Sequence, residues 1–226
     1  MHRPLPAARR GFSLVELLVV IAVIALLVAV LIPTLALARG ASQSAQCLGN
    51  LRQIGIAFRL YADDHNGLSP ALGQPYAGDS NWGIVALRYS GREGATVGDL
   101  YTPDSVIVCP SAQQDLSTEM VRTYAVNATG HAGQAGDPDD YDDPANPAYI
   151  RLDRVSRPEA RALVIDSDYA GASTNPPPTS RTAGVIDFRQ ANQLDRVGYW
   201  HGGGDRFNTL LIDGSARPFT EIPDLW

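Results

Sequence analysis

The side chains in this chain best equipped for chemistry are a few acids, two cysteines and four histidines, and they are unevenly placed. Glu16 stands inside the apolar run "FSLVELLVVIAVIALLVAVLIP". An ionised side chain at mid-bilayer depth costs about 2.5–3.5 kcal/mol on insertion scales, so such groups are usually paired and functional. Glu16 therefore calls for a cation; the competing reading is an acid favoured by the macrodipole near a helix start. Asp137, Asp139, Asp140, Asp142 and Asp143 crowd like charges into one short loop. Calcium, a hard cation taking several oxygens, would relieve that repulsion. The loop lacks the glycine and glutamate of an EF-hand, and plain solvation of an acidic run answers the same composition.

Cys47 and Cys109 are the only cysteines, too few and too far apart for a zinc ribbon. They form either one disulfide, if the body lies outside the cytoplasm, or two separate buried thiols. A disulfide would contribute about 2–4 kcal/mol by constraining the unfolded chain. His2, His65 and His131 have no metal-ligand spacing with His201, so no structural zinc is expected. "GDS" at 78 to 80 and "HGGG" at 201 to 204 resemble hydrolase fragments, but no Gly-x-Ser-x-Gly elbow exists and only Ser215 follows the glycines. No enzyme is expected. The glycines read as a close backbone turn, with His201 hydrogen-bonded to it.

The net charge is −6, and three of the eighteen basic residues, Arg3, Arg9 and Arg10, lie in the first eleven positions. The remainder is thus still more acidic and has no basic stripe for phosphates, which argues against nucleic acid as a partner. Every basic residue is arginine, which we read as composition bias without functional meaning. Hydrophobic residues at 45% and charged residues at 19% are ordinary for a folded protein.

The elements that must position these groups begin with the apolar stretch. Leu17 to Ile32 is uninterrupted, and the stretch extends from Phe12 to Ala38. That exceeds the ~20 residues needed to cross a bilayer. It is also longer than the core of an ordinary signal peptide, although "ALA" at 36 to 38 is an alternative cleavage site. The leader arginines predict a cytoplasmic N-terminus and an exported body. Pro33 removes a helix bond to Ala29, so a kink or local melting is expected there. Beyond Arg39, Leu48, Leu51, Ile54, Phe58, Tyr61 and Ala62 recur at helical spacing, one face packing on a core. Asn66-Gly67 is a stop signal. Residues 12 to about 64 thus read as one helix of roughly 80 Å at about 1.5 Å per residue.

The predicted division is a leader at 1–11, a transmembrane helix at 12–38, its amphipathic continuation at 39–66 and an exported head at 67–226. Strand candidates in the head are "SVIVC" (105 to 109), "RTYAVN" (122 to 127), "RALVID" (161 to 166) and "GVIDF" (184 to 188). "FNTLLI" and "SARPF" flank Asp213-Gly214, a tight-turn dipeptide of antiparallel hairpins. Segments 133 to 147 and 171 to 180 read as long surface loops, the second of them extended and polyproline-like. The expected fold class is α+β, a long N-terminal transmembrane and amphipathic helix packed on a small antiparallel sheet.

"RRGFSLVELLVVIAVIALLVAVLIP" resembles the class III signal of type IV prepilins and type II secretion pseudopilins: a basic leader ending in glycine, then Phe, then Glu four residues later. "CLGNLRQIGIAFRLYADDHNGLSP", "VIVCPSA" and "HGGGDRFNTLLIDGSARPF" are similar to stretches of pseudopilin-like proteins abundant in planctomycetes. Eleven residues separate His201 from Asp213 here, where that family has nine. The resemblance implies a pilin-like fold, cleavage by prepilin peptidase between Gly11 and Phe12, and methylation of the new Phe12 amine. Implied partners are copies of itself and related subunits, the peptidase and methylase, and an inner-membrane assembly platform with its ATPase. Given that cleavage, the carboxylate's need for a cation leads to a separate expectation: the freed Phe12 amine of a neighbouring copy meets Glu16, which sets the stagger of a filament. Major pseudopilins of type II secretion carry calcium in a C-terminal loop, which extends to the acidic loop here. The alternative function is an exported binding module on an uncleaved anchor that does not polymerise.

Overall fold

A computed structural model describes residues 13–72, 79–129, 149–169, 180–188 and 190–222. The chain divides between Ala41 and Ser42 into two compact units. Helix α1 (Leu14–Asp64) runs through both. Over its first unit the apolar side chains are exposed on every face, from Leu14 through Leu37. Pro33 lies inside α1, and the helix continues unbroken across positions 29 to 33 in place of melting there. Beside it the Thr34 hydroxyl donates to the Leu31 carbonyl at 2.9 Å, a local bond common for threonine within helices.

From Ser42 onward α1 becomes one-sided. Cys47, Leu51, Ile54 and Phe58, spaced three or four apart, are buried together with Tyr61 and Ala62, while Ile56 and Leu60 stay exposed. The helix ends as the Asn66-Gly67 pair requires: both adopt positive φ, and the Gly67 N–H donates to the Ala62 carbonyl at 2.7 Å. His65 stacks on Tyr61 with ring centroids 3.7 Å apart.

Three short helices follow: α2 (Trp82–Tyr89), α3 (Val97–Leu100) and α4 (Pro110–Asp115). Asn81 caps α2 by accepting from the Gly83 N–H, and Thr96 with Asp99 forms a capping box on α3. The expected strand at 105 to 109 does not form. Ser105 to Val108 is a turn, and Cys109 is the N-cap of α4 with Pro110 in its first turn. Ile107, Val108 and Cys109 are buried there, so their apolar character reflects core filling without a strand.

The sheet contains β1 (Tyr124–Asn127), β2 (Ala162–Asp166), β3 (Val185–Ile186), β4 (Phe207–Leu211) and β5 (Ala216–Phe219), in spatial order β3-β1-β2-β4-β5. It is mixed where a purely antiparallel sheet was expected, because β3 pairs in parallel with β1. After β2 the chain passes β1 and adds β3 on its far edge, then returns through a 3-10 turn at Ala191–Arg196 to β4. β2 ends beside the start of β1, and the chain re-enters at that same end, where Arg181 bridges Arg122, so β3 runs in the direction of β1.

Both faces of the sheet are covered. Tyr124, Val126, Val164 and Leu210 join the core shared with α1 and Trp82, whereas Ala125, Ile165, Phe207 and Leu211 join a second cluster with Ile186, Phe188 and Val197. This follows the period of two along each strand. A register shift between Ala162 and Val164 interrupts that alternation beside Leu163. Helix α1 approaches the sheet closely at Gly55, where an added Cβ would lie 3.0 Å from a Leu210 methyl. Its polar edge reaches the β4–β5 hairpin, with Arg59 donating to the Ile212 carbonyl (3.1 Å) and Arg52 to that of Ala216 (3.3 Å).

Candidate functional site

Two places gather the chemistry-bearing residues. The first is the start of α1, where Ser13 and Glu16 cap each other. The Ser13 hydroxyl accepts from the Glu16 N–H at 3.1 Å, and the Glu16 carboxylate accepts from the Ser13 N–H at 2.9 Å. This reciprocal arrangement is a capping box, which satisfies two amides that a helix start leaves without partners. Glu16 thus has a neutral partner within its own chain and remains exposed. Gly11 and Phe12 lie outside the described residues, as do Asp137, Asp139, Asp140, Asp142 and Asp143 with the calcium expectation attached to them.

The second place is buried in the head. Cys47 on α1 and Cys109 at the N-cap of α4 form a disulfide, with Cα atoms 5.0 Å apart. The covalent tie is reinforced by Tyr124, whose hydroxyl donates to the Cys47 carbonyl (3.3 Å), and by Asn50, whose amide donates to the Val108 carbonyl (2.8 Å). Against this disulfide lies His201, 3.6 Å from Cys109 Sγ through its Nε2. The same nitrogen is 3.0 Å from Asp166 Oδ2 and 2.7 Å from Asn208 Nδ2. Asp166 Oδ2 also accepts the Asn208 backbone N–H at 2.6 Å.

Each element of this cluster has a local cause. Asp166 ends β2 and Asn208 is the second residue of the neighbouring β4, so sheet pairing brings them together. His201 is carried back by the glycine turn: Gly202, Gly203 and Gly204 all have positive φ, and the His201 backbone pairs with that of Arg206. The turn bond expected of His201 is thus made by its main chain, while its ring faces the disulfide. Burial pushes the Asp166 carboxyl above the ordinary carboxylate range; the bond and charge of His201 and the Asn208 N–H act in the opposite sense. The Tyr124 hydroxyl is likewise raised well above its usual value by burial, then by the Asp166 charge.

The sequence reading set metal aside because the histidines lacked ligand spacing. The fold brings Cys47, Cys109 and His201 within 4.8 Å of one another by ligand atom, with the two sulfurs joined to each other in the disulfide. Asp166 and Asn208 were missed altogether. The available signal was an aspartate closing the apolar string "ALVID", which a strand buried on both faces tolerates only with a partner. Ser215, the serine weighed as a nucleophile, is exposed and donates to Asp213 within the hairpin turn at 2.7 Å.

A family model described as the prokaryotic N-terminal methylation motif matches residues 6–32. No curated protein and no solved structure matches the chain. The matched segment is a type IV pilin-like N-terminal signal, which implies processing by prepilin peptidase and association with the membrane. It continues into a helix long and apolar enough to cross a bilayer, an arrangement that fits an inner-membrane anchor.

Proposed function

We propose that the chain is a structural subunit of a type II secretion pseudopilus or a type IV pilus-like filament. Cleavage after Gly11 and methylation at Phe12 mature it, and its partners are copies of itself, related subunits and an assembly platform with its ATPase. The observation that carries this reading is the methylation motif running directly into a helix whose apolar side chains have no cover within the chain. Such a surface requires lipid before assembly and neighbouring helices after it. The Cys47–Cys109 bond supports an exported head, because disulfides persist in oxidising compartments.

In this function Glu16 exchanges its capping bond to Ser13 for the Phe12 amine of a neighbouring copy and so sets the axial stagger. Glutamine at this position keeps the capping box but carries no charge, whereas leucine loses both. Filament incorporation in cells is therefore expected to fail for Glu16→Gln as well as Glu16→Leu. Normal incorporation of Glu16→Gln would reduce Glu16 to a helix cap. Mass spectrometry of the mature N-terminus is expected to give methylated Phe12; an intact Met1 would instead indicate an uncleaved, non-polymerising anchor.

A further inference from the structure

Charge in the head is sorted into two faces. The first surrounds the turn between β4 and β5. Arg59 and Arg52 on α1 donate to the carbonyls of Ile212 and Ala216, and Arg217 on β5 donates to the Glu159 carbonyl at 2.6 Å. Arg157 and Arg161 bracket the short segment that holds this turn, where the Pro158 carbonyl accepts from the Asp213 N–H (3.2 Å) and the Arg161 carbonyl from the Ile212 N–H (2.9 Å). Asp213, Glu159 and, one turn along α1 from Arg59, Asp63 supply the carboxylates of this neighbourhood. Among the described residues, none of the five guanidinium groups is paired with any of them. A carbonyl fixes the position of a guanidinium and leaves its charge whole.

The second face is the stretch from Glu93 to Glu119. It carries Glu93, Asp99, Asp104, Asp115 and Glu119 with no arginine or lysine between them, and all five acids are exposed. Gln113 on α4 draws the stretch together by donating to the Pro103 carbonyl at 2.8 Å and to those of Thr118 and Met120 at 3.4 Å. Arg92, just before it, pairs with Asp104 at 3.0 Å. The other four carboxylates have no basic partner among the described residues.

These faces lie on opposite flanks of α1. Arg52 and Arg59 are about two turns apart and so share the flank toward the hairpin. Asn50 precedes Arg59 by about two and a half turns, which puts it on the other flank, where its amide meets the Val108 carbonyl beside α4. The Cys47–Cys109 bond fastens the acidic stretch to α1 on that side. Opposite charge on opposite flanks makes the head complementary to a copy of itself set beside it. Such a contact is heterologous, and a heterologous contact that does not close into a ring extends as a filament.

We propose that the arginine face of one head docks on the acidic stretch, Glu93 to Glu119, of a second copy. The proposal rests on the filament reading for its setting and names the partner of the head within it. Complementary charge of this kind fixes orientation and register between neighbours more than it adds affinity.

Sedimentation of the full, disulfide-bonded chain in a non-ionic detergent tests this. At an ionic strength of about 0.01 M, where charges act over about 30 Å, the parent is expected to form oligomers. At about 1 M, where that range falls to about 3 Å, it is expected to revert to monomer. Two double variants reverse one face each: Arg157→Glu with Arg217→Glu, and Asp115→Arg with Glu119→Arg. Either alone is expected to stay monomeric at low salt, and an equimolar mixture is expected to regain the parent's oligomers, since each supplies the face that the other lacks. Recovery in the mixture needs both variants folded, so lost structure cannot imitate it. Oligomers that ignore salt, or a mixture that stays monomeric, would overturn the proposal. A parent that is monomeric at low salt overturns it as well, and retention of that parent on heparin would assign the arginine face to a polyanion. The filament reading is tested separately by Glu16→Gln in cells: oligomers seen in detergent survive its failure, whereas normal filaments from both charge-reversed variants strike the head contact alone.

Discussion

The two units of this chain put apolar residues to opposite use. Before Ala41 the helix exposes leucine, valine and isoleucine on every face; after Ser42 the same helix buries one stripe and leaves its polar edge to bind the β4–β5 hairpin. Their acids differ in the same way. Among the described residues, Glu16 is exposed and accepts from a backbone amide, whereas Asp166 is fully buried with one oxygen unpartnered. Hydropathy separates the two units, with a mean of 3.3 over the apolar window against −0.09 for the whole chain, and periodicity decides what each does with its apolar residues. A helix apolar all round has no preferred side to bury within its own chain, whereas a stripe at three- and four-residue spacing dictates which face packs.

The contrast breaks most sharply at Phe58. Phe58→Ala is expected to destabilise the head by about 3–5 kcal/mol in urea unfolding of the full chain in detergent, because it empties a packed site. Leu27→Ala, in the exposed run, is expected to stay within about 0.5 kcal/mol by the same measurement. Equal losses for both would erase the distinction. The next largest effect belongs to the bond that fastens the striped half to the head. Replacing both Cys47 and Cys109 by alanine should lower stability by about 2–4 kcal/mol, read as a shifted urea midpoint.

Asp166 sharpens the comparison of the two acids through pH. Its carboxyl is raised by burial, so its favourable contribution is full below the ordinary aspartate value of about 4 and is lost as pH climbs through the raised folded value. Asp166→Asn removes that dependence, so the parent should lose stability relative to the variant between acidic and neutral pH. Parallel curves across that range would contradict it. A smaller loss than these core changes is expected at Gly214, whose φ of +90° closes the hairpin: Gly214→Ala should cost about 1 kcal/mol in the same unfolding assay.

Much of this was legible because local rules suffice for local features. The buried face of α1, its stop at Asn66-Gly67 and the Asp213-Gly214 turn each follow from a few adjacent residues. The capping box was equally legible, since Ser13 and Glu16 have the spacing it demands, but the membrane argument about Glu16 obscured it. "SVIVC" misled because a buried turn and a buried strand share the same apolar composition, and Pro110 was the discriminating residue. The parallel pairing of β3 depends on where a long connection returns, which no short window contains. The His201 cluster was illegible for the same reason: its members come from α1, α4, β2, β4 and a glycine turn, and only the sheet's register brings them together.

The Cys47–Cys109 bond also decides where a mechanical load enters the head. Tension along α1 travels down the helix until it meets a covalent bridge, and from Cys47 onward it is shared with Cys109 and the segment behind it. The remaining helical turns, from Leu48 to Asp64, are thereby shielded from peeling away one after another. A chain pulled by its greasy end would yield in its exposed portion, or dislodge whole, before its folded part unzips.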